Sequence, residues 1–122
     1  MPSPSELSRA YIAAFNAGDL DTLVSLVDDS VDFKRPDEEA RFGQSAVRAQ
    51  YEEDWSGHKH VHVHVVRLLE SGSTTLVEIE VDAGPPSHEW YRGVVIHDWN
   101  AEGRLARYRL YVADTERPDA TD

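Results

Sequence analysis

The chain has 122 residues, 40% hydrophobic and 29% charged, which is the size and composition of one folded domain and not of a disordered chain. Its formal charge of −11, from 23 acidic against 12 basic residues, argues against nucleic acid or an anionic membrane as a partner, since both need a basic surface. It contains no cysteine, so disulfides, thiolate catalysis and Cys-based metal centres are excluded in this chain.

The start, Met1 to Leu7, lacks the basic and apolar runs of a signal peptide, and no stretch approaches the ~18 apolar residues that span a membrane. The expectation is a soluble cytoplasmic protein. Ser5 reads as the N-cap of a first helix, on which Leu7, Ala10, Tyr11, Ala14 and Phe15 recur at helical spacing. Gly18 ends it as a left-handed cap. Asp19 then caps a second helix carrying Leu20, Leu23, Val24 and Val27. Asp28 to Ser30 reads as a turn, Val31 to Phe33 as a short strand stopped by Arg35-Pro36, and Asp37 to Arg41 as a polar loop. Gly43 opens a third helix with Ala46, Val47, Tyr51 and Trp55 on one face, broken at Ser56-Gly57.

From there the period becomes two. Strands are predicted over Lys59–Leu69, Thr74–Asp82, Glu89–Trp99 and Arg104–Val112, joined by turns at Ser71–Ser73, Gly84–Pro86 and Asn100–Gly103. The tail after Asp114 reads as polar and unstructured. Three helices and an antiparallel meander make an α+β domain, with helices packed on one face of a curved, mainly antiparallel sheet. One domain is expected over residues 1–122, with its ordered core over 5–114.

The unusual chemistry lies on the first two long strands. His58, His60, His62 and His64 stand at every second residue, and Glu78, Glu80 and Asp82 repeat the spacing on the next strand. Period two puts each set on one face. Val61, Val63, Val65, Val77, Ile79 and Val81 make the opposite face. Simple patterning buries the valines and leaves the His/acid face in water. If the His/acid face instead lines a cavity, a histidine beside a glutamate forms an acid–base couple near neutral pH. A third reading is a metal site, since two imidazoles of a His-x-His pair and a neighbouring glutamate can reach one ion.

The segment Tyr11-Ile-Ala-Ala-Phe-Asn-Ala-Gly-Asp-Leu-Asp21 resembles the first helix and turn of steroid Δ5-isomerases and SnoaL-like polyketide cyclases, members of the cone-shaped nuclear transport factor 2 superfamily. Phe42-Gly43-Gln-Ser-Ala-Val-Arg48 is similar to the start of that family's third helix, and Gly103-Arg104-Leu105 with Tyr108-Arg109 to its last hairpin. The resemblance implies a small-molecule pocket, no organic cofactor, and a homodimer through the outer sheet face. It places Tyr11 as an oxyanion-hole donor. The family's carboxylate base and protonated aspartate have Arg35 and Val95 as their counterparts here, so the isomerase mechanism is not matched. The last-strand arginine, Arg109, is followed by Leu110 where the family's epoxide hydrolases carry an aspartate.

Aligned through Arg67 and its hairpin, the family register turns the His/acid face inward and the valines outward, and we take that register as the expectation. The candidate catalytic residues are then Tyr11, His62, Glu80 and His97, with a histidine moving the proton and Glu78 or Glu80 orienting it. Arg35, Trp55, His64, Glu78, Tyr91, Val95, Tyr108 and Leu110, with Val112, are expected to line the pocket. Arg35 either binds an anionic substrate group or pairs at the rim with Asp37 or Glu38. The function expected is acid–base isomerisation, cyclisation or dehydration of a hydrophobic carbonyl compound. The rivals are a non-catalytic binding or assembly protein and a metal-binding variant built on the His strand.

Overall fold

The computed structural model describes residues 1–57, 61–84 and 89–117. Helix α1 (Pro4–Ala17) begins one turn-half earlier than its apolar pattern suggests. Ser3, and not Ser5, is the N-cap: its hydroxyl accepts from the Glu6 backbone N–H while the Glu6 carboxylate accepts from the Ser3 N–H. Pro4 fits the first helical position, where no N–H is needed. Ser5 is used elsewhere, giving both its N–H and its hydroxyl contact to Glu70. Gly18, at φ 68°, closes α1, and Asp19 caps the short α2 (Leu20–Ser25).

Strand β1 (Val27–Lys34) absorbs the expected turn at Asp28–Ser30 as an irregular stretch, since its pairing shifts between Val27 and Asp32. A two-residue strand β2 (Arg41–Phe42) begins at the last residue of the stretch read as loop. Helix α3 (Gln44–Gly57) follows, and the Gln44 amide donates to the carbonyls of Val24 and Val27, pinning its start to the preceding elements. The long strands are β3 (His62–Ser71), β4 (Thr74–Asp82), β5 (Trp90–Trp99) and β6 (Leu105–Asp114). The six strands form one sheet in the order β2-β1-β6-β5-β4-β3. The β3–β6 meander is antiparallel, whereas β1 runs parallel to β6. Arg109 on β6 secures that parallel pair by an ion pair to Asp32 at 2.9 Å. No described helix is long and apolar enough to cross a membrane.

The sheet faces the helices with its aliphatic side. Val77, Ile79 and Val81 are buried, and Val61, Val63 and Val65 are partly buried against the same core. His62 and His64 are exposed, and Glu78 and Glu80 are half-exposed on the other side. The inward His/acid face is therefore corrected: it is the outer face. A β-bulge explains the inversion. Val65 pairs with Ile79 but Arg67 pairs with Glu78, so Val66 is an extra residue in β3. Beyond the bulge Leu68 opposes Val77, and the inward positions are even-numbered; before it Val63 opposes Val81, and they are odd-numbered. Counting back by twos from the hairpin through Arg67 therefore assigns the wrong face to every residue before Val66.

Energetics agree with the observed choice. Burying a Val or Ile side chain stabilises by ~1.5–3 kcal/mol, whereas a cross-strand polar pair contributes ~0.2–1 kcal/mol. β3 is an edge strand, and Asn16 at the end of α1 secures it there. Its amide donates to the Val63 carbonyl and accepts from the Val63 N–H, both at 2.8 Å. This side chain acts as a surrogate strand partner and holds Val63 toward the helices. Asn16→Ala should destabilise the fold by ~1–3 kcal/mol. Denaturant titration measures that loss, and amide exchange should report faster opening at Val63, with His62→Ala as a near-neutral control.

Candidate functional site

Between the helices and the inner sheet face lies a cavity of about 540 Å³. Its walls are mostly apolar and aromatic: Ile12 and Phe15 from α1, Trp55 from α3, Val61 and Val63 from β3, Ile79 from β4, Val95 from β5 and Leu110 from β6. Tyr11, Tyr51, Tyr91, Tyr108, His97, Arg35, Asp54 and Glu89 bring polar groups into it. Period two along β5 and β6 accounts for Tyr91, Val95 and His97, and for Tyr108 and Leu110. Helical spacing along α3 puts Tyr51, Asp54 and Trp55 on one face.

Tyr11 and Tyr51 are 3% exposed, and their hydroxyls lie 2.7 Å apart. One donates to the other, so one phenolic proton of the pair is left over. Tyr108 stacks on Phe33 with ring centroids 4.3 Å apart and lies tilted against Tyr11 at 6.2 Å. Burial raises the pKa of all three phenols well above the ordinary value, and for Tyr11 the neighbouring Tyr108 adds to it. Burial likewise raises that of Tyr91. These groups therefore stay protonated and act as hydrogen-bond donors.

Arg35 sits at the end of β1, where the chain leaves the sheet toward Pro36. Its Nη1 and Nη2 donate to Asp54 at 2.7 and 3.3 Å, and its Nε and Nη2 donate to Glu38 at 3.2 and 3.1 Å. Burial works against the guanidinium charge, but the bond and charge of Asp54 outweigh it and raise the pKa. Gln50 adds a bond to Asp54 at 2.8 Å. The rim pairing with Glu38 is present, and Asp54 is the further partner. All three guanidinium nitrogens are engaged, so Arg35 is not poised to take an anionic group from a ligand.

His97 is fully buried, and burial holds its pKa down to about 3. Its Nδ1 lies 2.7 Å from the Ser8 hydroxyl; no carboxylate contacts it among the described residues. The expected pairing with Glu78 or Glu80 is thus corrected, because those side chains lie across the sheet. Glu80 is bonded to Arg92, which lowers its pKa, and Glu78 pairs with Arg67 at 3.4 Å. His62, His64, Glu78 and Glu80 do not line the cavity. Val112 is also outside it, 38% exposed on a neighbouring surface groove.

His58 and His60 of the expected histidine row lie outside the described residues. Among the described residues no group of three His, Asp or Glu side chains could hold a metal ion. Tyr51 and Asp54 were missing from the sequence-derived site. The signal was present in their spacing with Trp55, but Tyr51 reads equally as a core aromatic. Ser8 and Thr75 carry no motif at all.

A family model for the SnoaL-like domain matches residues 8–108, and the chain belongs to that family. Its fold is that of nuclear transport factor 2-like proteins. The epoxide hydrolase/cyclase-like enzyme SalBIII, with a role in pyran ring formation in the polyether salinomycin, is 18% identical, with a TM-score of 0.80 and coverage of 92% of each chain. An LEH-like epoxide hydrolase of Mycobacterium tuberculosis is 17% identical over 90% of this chain and 82% of its own, at a TM-score of 0.78. RV0760c of Mycobacterium tuberculosis, solved in complex with estradiol-17beta-hemisuccinate, is 19% identical over 90% and 94%, at a TM-score of 0.78. No curated protein matches the chain in sequence.

The depressed pKa of His97 has a consequence for stability. An unfolded histidine takes a proton as pH falls through its ordinary value of 6.5, while the folded one does so only near 3. The unfolded state therefore binds more protons in that window, and stability is present in full above it and lost as pH falls through it. Chemical denaturation from neutral pH down to pH 4 should show this acid-side loss, and His97→Gln should flatten it.

Proposed function

We propose that this cavity takes a hydrophobic small molecule bearing a carbonyl group and acts on it by cofactor-independent acid–base chemistry of the isomerase, cyclase or dehydratase kind. The observation that carries the reading is the buried phenol pair, Tyr11 and Tyr51 at 2.7 Å, inside an apolar cavity that also holds the Asp54 carboxylate. The spare phenolic proton is a donor for an oxygen that gains negative charge in the transition state. Burial of the two phenols strengthens that bond, since the local dielectric is low. Asp54, oriented by Arg35 and Gln50, is the candidate to accept or return a proton at carbon. This role moves from the outward-facing His62 and Glu80 to a residue of the cavity itself. The ligand class is supported by the steroid ester bound to RV0760c and by the ring-forming chemistry in which SalBIII takes part.

A second reading, a non-catalytic binder, is favoured by one observation: both oxygens of Asp54 already accept bonds from Arg35, at 2.7 and 3.3 Å. Turnover of a panel of hydrophobic enones and ketones separates the two. Tyr11→Phe should lower kcat by roughly 10²–10³, as loss of one oxyanion donor does elsewhere. Asp54→Asn should lower it by roughly 10²–10⁴, as loss of a general base does. Micromolar binding without turnover, unaltered by Asp54→Asn, establishes the binder instead.

The same reading carries a homodimer through the outer sheet face. Leu69 opposes Leu76 and Leu76 opposes Ile96 there, with Tyr111 opposite Val94. Leu69 and Tyr111 are each 56% exposed, and Arg67, Glu78, Glu80 and Arg92 surround them with both signs of charge. A self-complementary patch of this kind suits a two-fold pair. Light scattering should give twice the chain mass, and Leu69→Glu should return the monomer; a wild-type monomer at high concentration rejects the pairing.

A further inference from the structure

The hydrogen bonds around His97 determine what its unpaired nitrogen offers to the cavity. Ser8 Oγ lies 2.7 Å from His97 Nδ1 and 2.6 Å from Thr75 Oγ1, and it accepts the indole N–H of Trp99 at 3.2 Å. Ser8, Thr75 and His97 are fully buried, and Trp99 is 4% exposed. His97 Nε2 is buried without a hydrogen-bond partner, and His97 is a lining residue of the cavity.

Each hydroxyl has one proton and room for two incoming bonds, and the indole nitrogen can only donate. Among the described residues the Thr75 hydroxyl has Ser8 Oγ as its one side-chain or backbone partner, so its proton goes to Ser8. Ser8 then accepts from both Trp99 and Thr75, and its own proton is sent to His97 Nδ1. Nδ1 is therefore an acceptor, and in a neutral imidazole the proton resides on Nε2. The reverse orientation, with Nδ1–H donating to Ser8 and Ser8 to Thr75, strands the Thr75 proton in the interior. Without a ligand the first orientation leaves one donor unpaired, Nε2–H, whereas the reverse leaves both the Thr75 proton and the Nε2 lone pair unpaired, and each such buried group costs ~1–3 kcal/mol.

We infer that His97 is held by Ser8, Thr75 and Trp99 as its Nε2–H tautomer and presents that N–H to the cavity as a hydrogen-bond donor, so that the group it receives is an acceptor oxygen on an uncharged hydrophobic ligand. The imidazole ring lies 5.2 Å from the ring of Tyr11 and 5.6 Å from that of Tyr108, which places the donor among protonated phenols. The cavity thus gathers donors that carry no charge. Arg35 is committed to Glu38 and Asp54, so a carboxylate ligand would give up its hydration without gaining a free cation. A ketone or ether oxygen loses far less on entry. Burial keeps the imidazole neutral at physiological pH, which makes the donor permanent there. Ser8 is a positioning residue that acts through His97. The ligand half of this inference rests on the carbonyl-compound reading above; the tautomer does not.

The test uses long-range ¹H–¹⁵N correlation spectra of the histidine rings in the labelled protein, with progesterone as the uncharged ketone probe. The expected result is an Nε2–H pattern for His97 near neutral pH and a shift of its Nε2 and attached proton when progesterone binds. Ser8→Ala should blur that single tautomer into a mixture and weaken progesterone about tenfold, the loss of one hydrogen bond of ~1.4 kcal/mol. Should this variant fail to fold, the wild-type spectra decide alone. An Nδ1–H pattern overturns the inference whatever the ligand. Progesterone bound with Nε2 unmoved overturns the donor role. An intact Nε2–H pattern with no binding of progesterone or other neutral ketones upholds the tautomer and instead rejects the carbonyl-compound reading.

Discussion

The interior of this protein depends on which face of the β3–β4 hairpin lies against α1. Val77, Ile79 and Val81 are buried on that side, and a single slip in register would exchange them for Glu78, Glu80 and Asp82. The exchange would forfeit several side chains' worth of transfer free energy, each ~1.5–3 kcal/mol, and would bury carboxylates without cations. Two devices protect the register. Asn16 bonds both backbone groups of Val63 on the edge strand, and the bulge at Val66 lets the hairpin end keep its own inward residues, Leu68 among them. With that face fixed, the aliphatic half of the cavity wall is fixed too.

The polar half follows from desolvation. Three phenols and one imidazole are buried, and each is driven to its neutral form: the phenols by raised pKa, the imidazole by a lowered one. Such a site offers permanent donors in place of ionisable switches. Two charged groups of the cavity, Arg35 and Asp54, stay together as a pair extended by Glu38 and Gln50. Neutral donors and a paired charge cluster thus occupy one cavity.

Much of the fold was legible because hydrophobic period and turn residues agree. The helices around Tyr11 and Tyr51, the Thr74–Asp82 strand and the Gly18 cap all follow from local pattern. The parallel β1–β6 pair was not legible, because Asp32–Arg109 and the register behind it are contacts between residues 77 positions apart. The histidine row misled for a different reason. Its alternation is real, but period two is conserved only within an unbroken strand, and nothing in His62–Ser71 marks Val66 as the extra residue. Of the candidate site, Tyr11, Tyr91, Val95, His97, Tyr108 and Leu110 line the cavity as expected, where period gave the shared faces and the family resemblance gave the inward side. Ser8 and Thr75 could not be placed, since a small hydroxyl on a helix or strand acquires meaning only from the side chain it meets.

The position of Arg35 links the sequence oddity to the chemistry. A cation stands where related enzymes are expected to carry a carboxylate, and taken alone it suggests an anion site. The structure gives it two carboxylate partners, one of them on α3 and inside the cavity. Asp54 thereby restores a negative oxygen to the cavity wall from a different element, with Arg35 as the group that orients it. A bidentate guanidinium fixes a carboxylate in plane far better than a lysine could. Both Asp54 oxygens accept from Arg35, so the arrangement fixes the position of the carboxylate at the cavity wall. A molecule that reaches this wall therefore meets a carboxylate held in one orientation.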